Sequence, residues 1–394
     1  MHVLFGKTRI PYFVLSSILV LLQSAIFNEM MLRSKAFGQS TYIPAFFFAL
    51  CMNAFFDFMT LSPILMSMTF ILLAMNNLFR RMDNSTKDEL FVFTGIHLGI
   101  ATLFYLPNFL FLFVTFVSLL LFTGSIARRM LLLLLSYFVV LALCSLYYYW
   151  YDAAGFYHEF FYFSLWSLPT VSYIDKMDEL RVIAVPSAIL VFAGYKMIQL
   201  GKYINFQVRI QRVMLFNILA GIFSLLITDE LTTFQFIWFV PSIAFFLTHL
   251  VMTLRFWLFS ELAAGVVVIL LLFNNIFALK GWFFVADSSI YSDLFIQTNN
   301  TSYRDQNIWV IDERPDAYLG AKLGTPFVNW HLSKELITGM NYYDNMTRLH
   351  KVFEQQKPAI IIDKKEVMED ILYRLPVLAD QYRQQGRGIY KLVD

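Results

Sequence analysis

Long apolar runs separated by short polar loops fill the first 280 residues. A helix needs about 20 apolar residues to cross the roughly 30 Å hydrocarbon core of a bilayer. Ten runs reach or approach that length, at roughly 11–27, 43–58, 62–79, 90–104, 106–124, 130–150, 181–198, 213–228, 232–250 and 256–279. The pattern predicts a polytopic α-helical domain of about ten transmembrane helices over residues 1–279. The shorter runs, such as 43–58, would also suit tilted or partly re-entrant segments.

From about residue 280 onward the pattern is that of a water-soluble domain. Short apolar strands alternate there with amphipathic helices, which is the signature of an α/β fold. The predicted elements are a strand at 308–312, a helix at 345–356, a strand at 357–363, a helix at 366–385 and a strand at 389–393. We therefore expect a second, small α/β domain over residues 280–394.

Composition agrees with a membrane protein. Hydrophobic residues make up 58% of the chain and charged residues 15%, whereas soluble domains carry about 25% charged residues. No basic stripe lies on a soluble surface, which argues against nucleic-acid binding. Both cysteines, Cys51 and Cys144, fall inside apolar runs and predict neither a disulfide nor a metal site. The first apolar run has no small-residue cleavage site after it and predicts a retained helix.

The basic segment 196–212 orients the chain. It carries four Lys or Arg residues and no acid, and short loops rich in Lys and Arg stay in the cytoplasm. With this loop inside, the inner loops hold twelve basic residues and the outer loops before residue 280 hold four, namely Lys7, Arg9, Lys176 and Arg181. The count places the C-terminal domain outside, in the extracytoplasmic space. Lys7 and Arg9 would themselves favour the inside, which leaves the side of the N-terminus open.

Candidate chemistry lies at the ends of the apolar runs, because no nucleotide-binding, hydrolase or zinc motif is present. The aromatic stretch 151–180 predicts a segment lying along the outer membrane surface. It carries Asp152, His158 and Glu159, which could pair or hold a divalent ion, or simply form a solvated polar face. Asp57 has an equally plain reading as an interfacial carboxylate at a helix end.

Two parts of the chain resemble known proteins. The run from Asn28 to Leu120 is similar to an uncharacterised family of multi-spanning proteins of the Bacteroidota. It also resembles the GT-C membrane glycosyltransferases, on a helix that follows Ser62-Pro63 and ends in basic residues, and then a Gly95-x-x-x-Gly99 helix. The tail from IWVIDERPDAYLG to GRGIYKL is similar to the extracytoplasmic domain of many such transferases.

The resemblance implies an enzyme of the bacterial inner membrane that transfers a sugar from a polyprenyl-phosphate donor at the outer face. Such chemistry needs a carboxylate as general base or metal ligand. The candidates are Asp57, Glu29, Asp152, Glu159, Asp229 and Glu230, with His158 as a phosphate-binding residue. Only Asn28-Glu29 stands near the acidic position that the class carries in a longer first outer loop. The alternatives are a non-catalytic scaffold or subunit with envelope protein partners, and a transporter.

Overall fold

The chain forms two compact units, Met1–Ser292 and Asp293–Asp394, which we call the membrane unit and the C-terminal unit. The computed structural model describes residues 10–83, 87–123, 127–151, 171–172, 184, 186–188, 190–195, 205–227, 230–231, 233–253, 257–280, 303, 305–312, 315–318, 321–328, 330–339 and 341–393. The predicted domain boundary at 279/280 lies next to residues outside this description and stays a prediction.

Long α-helices build the membrane unit. They are α1 Ile10–Arg33, α2 Ile43–Cys51, α3 Pro63–Met82, α4 Glu89–Phe104, α5 Phe109–Thr123, α6 Ala127–Trp150, α7 Asn205–Ile227, α8 Val240–Thr253 and α9 Trp257–Lys280. Short 3-10 segments lie at Phe56–Met59, Leu106–Asn108 and Thr233–Phe239, and two short strands, β1 Val171–Ser172 and β2 Glu230–Leu231, pair with each other.

Six helical stretches within the described residues are long and apolar enough to cross a membrane. They are Pro11–Arg33, Pro63–Met82, Leu106–Thr123, Ala127–Trp150, Asn205–Ile227 and Thr233–Met252. The chain is therefore a multi-pass helical membrane protein by the length and composition of its helices. The predicted number of ten spans stays a prediction, since shorter apolar helices such as Glu89–Phe104 add to these six.

The predicted run 43–58 does not form one long helix. Its helix α2 has nine residues, and the chain then passes through a 3-10 turn before Ser62 caps α3 by accepting a hydrogen bond from Leu65 N. Gln23 of α1 donates to Leu65 O at 2.6 Å, and Ser16 donates to Met59 O. Because both contacts advance in the same direction, α1 and α3 are parallel, and the broken segment between them carries the chain back.

Contacts between helices show which of their ends lie together. Phe70 contacts Phe104 and Arg81 lies over Phe91, so α3 and α4 are antiparallel. The pairs Phe122 with Arg209 and Phe111 with Trp238 do the same for α5 and α7. Asp88 pairs with Arg129, which places the starts of α4 and α6 together. In α9, Ser260 donates to Val251 O, so this helix begins where α8 ends.

The bundle therefore has two distinct ends. The basic end holds the end of α1, the α3–α4 and α5–α6 connections, the start of α7 and the end of α8. The aromatic end holds the start of α1, the 3-10 segments at 56–59, 106–108 and 233–239, and the end of α6. Every charged side chain that the structure describes in the membrane unit lies at the basic end: Glu29, Arg33, Lys35, Arg80, Arg81, Asp83, Lys87, Asp88, Glu89, Arg128, Arg129, Arg209, Arg212 and Glu261.

Helices α4 and α6 pack in parallel through two glycines of α4. A methyl group built on Gly95 would lie 2.0 Å from Ser136 Oγ and 2.4 Å from Leu133 O. One built on Gly99 would lie 2.8 Å from Val140 Cβ. Small residues four apart allow two helix backbones to approach closely in a membrane, where helix association depends on packing. The close contact of α4 with α6 depends on these glycines.

A five-stranded mixed sheet forms the centre of the C-terminal unit. Its strands are β3 Asn307–Ile311, β4 Lys322–Leu323, β5 Ile360–Asp363, β6 Tyr382–Gly386 and β7 Ile389–Leu392, in the order β4-β3-β5-β7-β6. Strand β3 is parallel to β4 and β5, and β7 is antiparallel to β5 and β6. Four short helices connect them: α10 Trp330–Thr338, α11 Tyr343–Gln355, α12 Met368–Arg374 and α13 Pro376–Ala379.

The predicted α/β class of this unit is confirmed, but the predicted helix at 366–385 is wrong. Helix α12 ends at Arg374, and Pro376 begins the separate turn of α13. Proline lacks a backbone N–H and disfavours helical geometry in the residue before it. Residues 382–386 then form β6, the first strand of a hairpin with β7. The buried side chains Trp309, Phe353 and Tyr382 pack edge to face beside this sheet.

We predict that Gly95→Val destabilises the bundle. The added side chain would press against backbone atoms of α6, and overpacking of this kind costs about 1–3 kcal/mol or more. The melting temperature of the detergent-purified protein should fall clearly. Gly265→Ala in α9 is the matched control, because a Cβ there meets no atom within 4 Å. An equal effect of the two substitutions would contradict the assigned α4–α6 contact.

Candidate functional site

The sequence-predicted site residues fall into three groups. Asp152, His158, Glu159 and Asp229 lie outside the described residues. For Asp57 and Glu230 the structure describes the backbone, in the 3-10 turn Phe56–Met59 and in β2. Only the side chain of Glu29 is described in full.

The turn that carries Asp57 packs at the aromatic end. The ring of Phe55 lies 4.8 Å from that of Phe58 and 6.1 Å from that of Phe236. The turn therefore contacts the 3-10 segment Thr233–Phe239, and Ser16 of α1 holds its other side through Met59 O. Two 3-10 segments that are far apart in sequence thus meet at one place.

Strand β2 brings a second candidate to the same end. Glu230 pairs with Val171 and Leu231 with Ser172 in a short parallel ladder. Since β2 directly precedes the 3-10 segment at 233–239, it ties part of the aromatic stretch 151–180 to that segment. The backbones that carry Asp57 and Glu230, and the stretch that contains Asp152, His158 and Glu159, therefore converge on the aromatic end.

Glu29 lies elsewhere. It is in the last turns of α1, at the basic end, where it is half exposed and pairs with Arg33 at 2.5 Å, one helical turn away. An exposed i,i+4 pair is a common surface feature and contributes little stability. The structure does not bring Glu29 together with Asp57 or Glu230.

No group of three or more His, Cys, Asp and Glu side chains suited to a metal ion occurs among the residues that the structure describes. The imidazole and carboxylates considered for a divalent ion, at positions 152, 158 and 159, lie outside them.

Sequence reasoning missed a polar cluster at the carboxyl edge of the C-terminal sheet. Asp312 follows β3, and Asp363 ends the neighbouring parallel strand β5. Lys364 Nζ lies 2.6 Å from Asp312 Oδ2 across the two strands. From β3 the chain connects to β4 on one side of the sheet, and from β5 it connects to β6 and β7 on the other. Such a switch point is the usual ligand position of open α/β sheets. The signal in the sequence is an Asp directly after each apolar strand.

Asp363 is buried and accepts hydrogen bonds from Lys365 N at 2.9 Å and from Met368 N at 2.6 Å. Its carboxylate therefore fixes the loop that leads into α12. Gly388, at a φ of +71°, passes so close to Asp363 O that a Cβ would lie 2.1 Å from it. Burial, together with the nearby charges of Glu369 and Asp363, raises the pKa of Tyr390, which keeps its phenol protonated. These groups satisfy one another, so the cluster orders the edge of the sheet.

No protein-family model matches the chain, and no curated protein matches it significantly.

We predict that Asp363→Ala destabilises the C-terminal unit. The substitution removes the acceptor of two backbone N–H groups at a helix start, and loss of such a cap costs about 0.5–2 kcal/mol. Limited proteolysis of the purified protein should cleave the variant within residues 293–394 at a lower protease concentration than the wild type. Asp380→Ala, an exposed position, is the control and should behave like the wild type. Unchanged protection of Asp363→Ala would contradict the assigned role.

Proposed function

We propose that this chain is a GT-C-like membrane protein that transfers a sugar from a lipid-linked donor at the membrane face of its aromatic end. The observation that carries the proposal is the convergence described above. The Asp57 turn, β2 with Glu230, and the strand from the 151–180 stretch meet at this one end. An enzyme that uses a lipid-bound substrate needs its catalytic groups at such a membrane surface.

Charge supports the orientation. All described Lys and Arg side chains of the membrane unit lie at the basic end, and Lys and Arg mark the cytoplasmic side. We therefore place the basic end in the cytoplasm and the aromatic end outside. Helix α9 begins at the basic end, so it ends on the outer side, where we place the C-terminal unit. In a bacterium this membrane is the inner membrane.

The chemistry requires a carboxylate. As the sugar is transferred, the acceptor hydroxyl loses a proton and the phosphate leaving group gains negative charge. Five carboxylates suit the first task by position, and protonated His158 or a divalent ion would suit the second. They are Asp57, Asp152, Glu159, Asp229 and Glu230. Glu29 is excluded from this set because it lies at the cytoplasmic end in this orientation.

A non-catalytic scaffold is the second candidate. Its favouring observation is that all carboxylate side chains described in the membrane unit are exposed and lie at the basic end: Glu29, Asp83, Asp88, Glu89 and Glu261. A scaffold would bind envelope proteins in fixed proportion, and co-purification with stoichiometric partners would identify it.

We predict opposite labelling of the two ends by a membrane-impermeant maleimide. In a background with Cys51→Ala and Cys144→Ala, the exposed positions Tyr151→Cys and Arg128→Cys report on the aromatic and basic ends. In intact spheroplasts, Tyr151→Cys should react and Arg128→Cys should react only after permeabilisation. The reverse pattern would refute the orientation.

We also predict that Asp57→Asn lowers sugar transfer in purified membranes, whereas Glu29→Gln does not. A general base contributes about 10²–10⁴-fold to a rate, which sets the expected loss. The assay measures release of radiolabelled sugar from a polyprenyl-phosphate donor. Asn substitutions at Asp152 and Asp229 and Gln substitutions at Glu159 and Glu230 complete the series. If transfer occurs and none of the five matters, or if no transfer is found, the scaffold is favoured.

A further inference from the structure

Five buried polar side chains line the contact between α5, α7 and the 3-10 segment Thr233–Phe239. We call them the polar seam: Asn108, Ser118, Gln211, Asn217 and Trp238. Their exposed fractions are 0%, 0%, 7%, 1% and 0% in that order. None of them is ionisable, and none belongs to the candidate site described above.

On α5 the seam faces α7. The ring of Phe111 lies 4.6 Å from that of Trp238, and Phe122 O accepts a hydrogen bond from Arg209 at 3.1 Å. Ser118 is seven residues after Phe111 and four before Phe122, which places all three on one face of the helix. Ser118 therefore points to the same interface as its two neighbours.

On α7 the seam continues toward the basic end. Asn217 donates through Nδ2 to Trp238 O at 3.2 Å and to Ser242 Oγ at 2.9 Å. Ser242 in turn donates to Met214 O. Gln211 lies about one turn before Met214 on the same buried side. From Asn108 to Ser118 the seam rises about 15 Å along α5 at 1.5 Å per residue, which is about half of the hydrocarbon thickness.

Each seam residue keeps one polar atom that has no hydrogen-bond partner in the part of the chain that the structure describes. These atoms are Asn108 Oδ1, Ser118 Oγ, Gln211 Nε2, Asn217 Oδ1 and Trp238 Nε1. A buried polar group without a partner costs about 1–3 kcal/mol, and the hydrocarbon around a membrane helix supplies none. Five such atoms along one interface are therefore an unusual concentration of unmet hydrogen bonds.

We propose that the polar seam binds internal water molecules. The donors Gln211 Nε2 and Trp238 Nε1, the acceptors Asn108 Oδ1 and Asn217 Oδ1, and the hydroxyl of Ser118 together match a molecule that both donates and accepts hydrogen bonds. A buried water typically makes about three hydrogen bonds to groups of this kind. The seam thus forms a hydrated line from the aromatic end into the bundle. This inference does not depend on the proposed glycosyl transfer.

Ser118→Ala tests the proposal by the sign of its effect. If water fills the hydrogen-bonding capacity of Ser118, its removal loses those bonds and the melting temperature falls. If the seam is dry, the substitution removes an unmet polar group and the melting temperature stays or rises. Ser67→Ala is the control, since Ser67 is equally buried but bonds to Ile64 O of its own helix. A melting temperature for Ser118→Ala at or above that of Ser67→Ala overturns the proposal.

A second measurement uses the unaltered protein. X-ray radiolysis creates hydroxyl radicals from water wherever it is bound, and these oxidise nearby methionine sulfur to the sulfoxide. Met214 lies beside Ser242 in the seam, whereas Met52 lies in the α2 region, and both are 0% exposed. Mass spectrometry should find several-fold more sulfoxide at Met214 than at Met52. Equal yields overturn the proposal.

Discussion

The exclusion of charge from hydrocarbon is the constraint on which the membrane unit depends. A charged side chain at the bilayer centre costs about 2.5–3.5 kcal/mol even on insertion scales, so sequence and topology must keep such residues at helix ends. Here the described charges gather at one end only. Each α-helix therefore begins or ends in a connection of known character, and the alternation of basic and aromatic ends follows from the order of the helices.

The interior then has to be held together without charge. The helices use close backbone approach at Gly95 and Gly99 and hydroxyl groups that bond within their own helix, as Thr94 does to Leu90 O and Thr248 to Ala244 O. Neutral amides make the contacts between helices, such as Gln23 with Leu65 O and Asn108 with Ala101 O. Such amides fix the relative register of helices, which lipid-like packing alone specifies weakly.

The sequence was sufficient for the presence of the apolar helices and of the α/β tail, because both follow from local periodicity. It was not sufficient where the outcome depends on distant contacts. The break after α2 is stabilised by Ser16 and Phe236, which lie on other helices. Residues 366–385 have a helical pattern, yet Pro376 stops the helix and pairing with β7 makes Tyr382–Gly386 a strand. For the candidate site, local sequence identified carboxylates at run ends, but only the fold separates Glu29 from Asp57.

The distribution of charge also limits how a phosphate-bearing donor could be held at the aromatic end. A lipid-linked sugar phosphate needs positive charge to neutralise its leaving group, and the side chains described at this end include no Lys or Arg. The chain offers Lys176, Arg181 and His158 within or beside the 151–180 stretch. Since β1 of that stretch pairs with β2, its backbone is already joined to the end where the carboxylates converge. Under the proposed function, the 151–180 stretch therefore has to supply the phosphate contacts, and the 3-10 segments around Asp57 and Glu230 the general base.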